Sequence, residues 1–164
     1  IKLKNFGLLE TLVSFSILYV VTMLIWTAIT RDAVLEKVDS IKSNHKNVVE
    51  LLNLEINNCT QNTNGKTSWG ENCDSPWSSS LIVDHIIKNL KLKNPYSIDK
   101  PLIQTSADPR IQAEGKAGQS TDKGIIFVSL TNFGSEAGSE WIIGTCVKSP
   151  CVAAGNNELV SVYR

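Results

Sequence analysis

The chain has no proline or glycine between residues 8 and 58, no surplus of either charge, and only two histidines. With no helix breaker over that stretch, nothing in the covalent chemistry interrupts a helix there. Sixteen basic side chains balance sixteen acidic ones with no run of like charge, so there is no electrostatic platform for a nucleic acid backbone and no contact of that kind is expected. The nucleophile elbow G-x-S-x-G is missing, and so is G-x-x-x-x-G-K-[ST]. The segment "GKAGQSTDKG" follows no strand and reads as a solvated loop. Asp84 and His85 are adjacent, and adjacent helix residues do not face one another, so they form no dyad. His45 lies in an apolar stripe, where a packed histidine is the common case. The expectation is no enzyme, no cofactor and no metal.

What is present is a long apolar run. Phe6 to Ile29 holds one charge, Glu10, with Lys2 and Lys4 before it and Arg31 and Asp32 behind it. As a helix it rises roughly 36 Å, enough for a hydrocarbon core of about 30 Å. It exceeds the apolar core of a secretory signal, and no small-x-small cleavage site follows. The flanking lysines favour a cytoplasmic N-terminus, which places everything beyond Arg31 across the membrane. All four cysteines fall in that part, in a compartment where disulfides form. Four cysteines permit three connectivities, and sequence neighbourhood favours Cys59–Cys73 and Cys146–Cys151. Their C-x13-C and C-x4-C spacings do not match zinc ligand pairs.

After Arg31 the pattern turns amphipathic: Val34, Val38, Ile41, His45, Val48, Leu52 and Ile56 recur at helical spacing. Residues 1–30 are therefore read as a membrane helix half, with 1–5 a possible leader, residues 31–57 as an amphipathic half of the same helix, and residues 58–164 as a head. Asn57–Ser80 reads as loop. Ser80 is the expected cap of a short helix through Leu92, with Ile82, Ile86, Ile87 and Leu90 inward, Asp84 in the first turn, and Pro95 ending it. Residues 104–123 hold few apolar side chains and read as a long surface connection. "GIIFVSLTNF", "SEWIIGTCV" and "ELVSVYR" read as strands. The fold class expected is α+β, with the helix stripe covered by the apolar face of a C-terminal antiparallel sheet. Trp69, Trp77 and Trp141 suit either a ligand platform or core and loop anchors, the latter being the commoner use.

The segment Phe6-Gly7-Leu8-Leu9-Glu10-Thr11-Leu12-Val13, opening an apolar helix that continues as an amphipathic one and carries a cysteine-bearing sheet, resembles the type IV pilins and pseudopilins. The resemblance is strong over the N-terminal 50 residues and architectural beyond them. It implies peptidase cleavage before Phe6, methylation of the new amino group, and a role for Phe6 and Glu10 in assembly, Glu10 aligning subunits in a filament. The implied partners are identical subunits, the inner membrane before assembly, a prepilin peptidase and an assembly platform, and the implied final location is an extracellular pilus. Asn5 replaces the family's usual glycine, so Phe6 and Ile1 both stand as candidate mature starts. The helix also lacks the proline that many relatives carry.

A lone carboxylate in hydrocarbon costs on the order of 3 kcal/mol and calls for a partner. A neighbouring subunit's cationic N-terminus is one such partner; a carboxylate reaching the headgroups is the rival explanation. Three roles follow: filament subunit, pseudopilin of a secretion or DNA-uptake machine, or a singly anchored extracytoplasmic binding domain.

Overall fold

The computed structural model describes residues 7–61, 65–75, 77–114, 123–132 and 139–163. The unbroken stretch forms one helix, α1, Leu8–Gln61. It outlasts the expected stop at Asn57 because the Thr60 hydroxyl donates to the carbonyls of Asn57 at 2.8 Å and Ile56 at 3.3 Å, closing the last turn. The chain divides into two compact units, Ile1–Glu36 and Lys37–Arg164.

From Leu8 onward the first unit is helix, part of α1, which is long and apolar enough to cross a membrane. No residue of its most apolar 18-residue stretch is buried. The hydroxyls of Thr11, Ser14, Ser16, Thr22, Thr27 and Thr30 each donate to a carbonyl three or four residues back. These polar atoms are satisfied within the helix and bring little desolvation cost into lipid.

In the second unit the stripe becomes core. Ile41, His45, Val48, Leu52 and Ile56 are buried and Val38 is half-buried, whereas Val34, in the first unit, is exposed. The amphipathic half of α1 is thus an integral layer of the head unit from Lys37 onward.

Helix α2 spans Ser79–Leu90. Its cap is Ser78, not Ser80: Ser78 has extended backbone and its hydroxyl accepts from the Leu81 N–H at 3.2 Å. Ser80 lies inside the first turn, and Asp84 falls beyond it. Its buried face is Ile82, Val83 and Ile86, with Leu90 partly buried, and the expected inward Ile87 is half exposed. The helix stops at Leu90 because Lys91 turns left-handed, φ 43°, before Pro95 is reached.

The sheet has four strands in the order β1 (Ile103–Thr105), β2 (Ile126–Asn132), β3 (Ser139–Cys146), β4 (Asn157–Tyr163). The antiparallel expectation holds for β2–β3 and β3–β4, but β1 pairs with β2 in parallel, so the sheet is mixed. A parallel neighbour requires a crossover. The segment read as a surface connection supplies it, containing the end of β1 and a short helix, α3, Pro109–Glu114. Asp108 accepts from the Arg110 N–H at 3.0 Å and Pro109 occupies the first helical position, a pairing that starts helices.

Residues 140–147 of β3 and its extension are buried on both faces. On one side Thr145 lies 3.2 Å from His45 Nδ1 of α1, and Trp141 and Ile143 belong to the same buried apolar cluster as Ile41, Val48 and Leu52 of that helix. On the other side α3 sits against Gly144, where an added Cβ would strike the Pro109 carbonyl and reach Ala113 Cβ at 3.1 Å. Glycine at this strand centre is what lets helix and sheet approach so closely.

Candidate functional site

Glu10 stands in the first turn of α1, and the Gly7 N–H donates to its Oε2 at 3.2 Å. That contact satisfies one of the free N–H groups at the helix start. Among the described residues no cation pairs with Glu10. Phe6, the other residue assigned to assembly, lies outside the described residues. Around Glu10 the helix presents exposed apolar side chains, among them Leu8, Leu9 and Leu12, and the hydroxyls of Thr11 and Ser14.

The head holds two disulfides, Cys59–Cys73 with Cα atoms 5.4 Å apart and Cys146–Cys151 at 5.2 Å. The first ties the end of α1 to the loop before α2. The second closes the turn between β3 and β4. With every cysteine bonded, no thiolate is left for a metal. Among the described residues no group of three or more His, Cys, Asp or Glu is arranged to bind one.

The loop closed by Cys59–Cys73 is held from below by a buried acid. Glu55, 1% exposed, accepts from the Ser68 N–H at 2.9 Å and from the Ser68 hydroxyl. Both oxygens are thereby satisfied at the neighbour of Trp69, as a carboxylate in a core requires. Trp69 packs edge-on against buried Trp77, centroids 5.6 Å apart, and lies 4.0 Å from the His85 ring. The three tryptophans singled out in the sequence thus divide: Trp77 and Trp141 are core, while Trp69 is half-buried and lines a cavity of about 500 Å³. Glu71, Ser80, Asp84, His85 and Lys88 line the same cavity.

Asp84 and His85 therefore share a wall without forming a dyad. Burial lowers the His85 pKa, opposed by the field of Glu55 and assisted by Lys88, so the imidazole is neutral at pH 7. Glu55 escaped the sequence reading, although it is seven residues beyond Val48 and three beyond Leu52, on the same helical face.

His45 is buried against Thr145 with its Nε2 unpartnered, and burial pushes its pKa down to about 4 despite the opposing field of Glu158. Glu140, on the α3 side, accepts from the Tyr163 hydroxyl at 3.2 Å and lies 3.5 Å from Arg110 Nη2. Its carboxyl is held below the usual range by a hydrogen bond from Ser161 above all, and then by Tyr163 and Arg110, against burial. These two sites tie layers together.

Comparison of the chain with protein-family models, with curated proteins and with solved structures gives no match.

Proposed function

We propose that the chain is a structural subunit of a type IV pilus-like surface filament that polymerises through its N-terminal helix. The observation carrying this reading is the first half of α1: an apolar helix whose most apolar stretch is nowhere buried, holding one carboxylate in the first turn. Apolar side chains left unburied all round need either lipid or copies of themselves. A filament supplies both in succession, membrane before assembly and a bundle of helices after it. A head-to-tail contact that does not close generates a fibre.

Glu10 distinguishes this from simple anchoring. A lipid anchor works with any apolar residue and is weakened by an acid. In a bundle the acid faces a neighbour's N-terminal amine and favours one register. Electron microscopy of sheared surface fibres, with mass spectrometry of their subunit, tests the proposal. Fibres made of this chain are expected; its recovery solely in the membrane fraction, with no fibres, would overturn the reading.

A further inference from the structure

We propose that the cavity between the disulfide-closed loop and α2 binds a neutral sugar ring, with Trp69 as its wall and Asp84, Glu71 and Ser80 as its hydroxyl ligands. At about 500 Å³ the cavity falls in the size range of small-molecule sites, about 300 to 1,000 Å³. Its lining selects the ligand. An apolar guest would displace water from the carboxylates, Ser80 and Lys88 and offer them no hydrogen bond in return. An anionic guest would meet Glu71 and Asp84, with Glu55 beneath, against the single ammonium of Lys88.

A pyranose fits on both counts. Its axial C–H bonds carry slight positive charge toward an aromatic face. Its neighbouring hydroxyls donate as a pair to a carboxylate, which only accepts, while Lys88 donates to a ring or hydroxyl oxygen.

The wall is preorganised. Trp69 is half-buried and packs against Trp77 and His85, its loop is closed by Cys59–Cys73, and Glu55 accepts from the adjacent Ser68. A neutral His85 adds a polar edge without charge. Little motion is left to freeze when a ligand enters, and that is where binding usually loses affinity.

The proposal is independent of filament assembly and is tested on the dispersed full-length chain in a detergent without a sugar headgroup. Glucose, galactose and N-acetylglucosamine are the probes, read by saturation-transfer difference NMR and by tryptophan fluorescence. At least one should receive saturation at its ring protons, with affinity falling at least tenfold in Trp69→Ala and in Asp84→Ala and unchanged in Lys46→Ala, on exposed helix surface. Asp84 and Ser80 are exposed and outside the core, so Asp84→Ala and Ser80→Ala keep the test valid even if Trp69→Ala loosens its loop. Absence of transfer to all three sugars, binding that survives both Trp69→Ala and Asp84→Ala, or tighter binding of glucuronate than of glucose would each overturn it.

Discussion

His45 brings a titratable ring into the seam between α1 and β3, and the pH response follows from its surroundings. Unfolded, the ring titrates near 6.5; folded, near 4, since burial outweighs the attraction of Glu158, itself 3.1 Å from Lys42 Nζ. The unfolded chain binds the extra proton first, so this contribution is intact above the unfolded pKa and is lost as pH falls through the window between the two values. The loss amounts to about 3 kcal/mol from pH 7 to pH 4. Urea unfolding of wild type and His45→Leu across that window should show a steeper fall for wild type; parallel curves would contradict the assignment. Gly144 makes a steric claim of the same grain. Gly144→Ala should cost about 1 to 3 kcal/mol by denaturant midpoint, because the added methyl meets backbone that cannot rotate away.

At the scale of elements, legibility in the sequence tracked how much apolar pattern each one carries. The helix α1 and the strands β2 to β4 were readable because each has a run of consistent spacing, and the cysteine pairs because the partners are sequence neighbours. Helix α3 and strand β1 were not: they have six and three residues, and α3 is keyed to the sheet by the bare Cα of Gly144. A glycine in the middle of "SEWIIGTCV" was the one available sign of a close approach. The start of α2 was misplaced because Ser78 and Ser80 are both good caps, and it is the Ser78 hydroxyl that accepts from the Leu81 N–H. Breaking Cys59–Cys73 by paired serine substitution should cost about 2 to 4 kcal/mol. The same change should also raise hydrogen exchange through residues 65–75, which keep the Glu55 and Trp69 contacts and the Trp77 indole on the Asn72 carbonyl. An unchanged exchange pattern would mean that those contacts suffice to fix the loop.

For the whole molecule, the core of the second unit begins at Val38, while the described apolar side chains from Leu8 to Ile29 are exposed. Deleting residues 1–29 should therefore yield a soluble monomer with the thermal midpoint of the intact head, measured by sedimentation and calorimetry; fibres from the deleted chain would show that assembly resides elsewhere. Of the candidate site, Glu10 and the cysteines stood out as exceptions in their surroundings. The cavity did not, because its residues come from separate segments joined only by folding. Glu10 itself has two candidate duties that a variant pair separates. Capping the Gly7 N–H needs an oxygen acceptor, which Gln retains; pairing with a neighbour's amine needs the negative charge, which Gln lacks. The deciding measurement is the yield of sheared fibres from Glu10→Gln at membrane levels matched to wild type. The filament account predicts severe loss, equal to that of Glu10→Ala, with the subunit still inserted and folded. Wild-type yield from Glu10→Gln would contradict it.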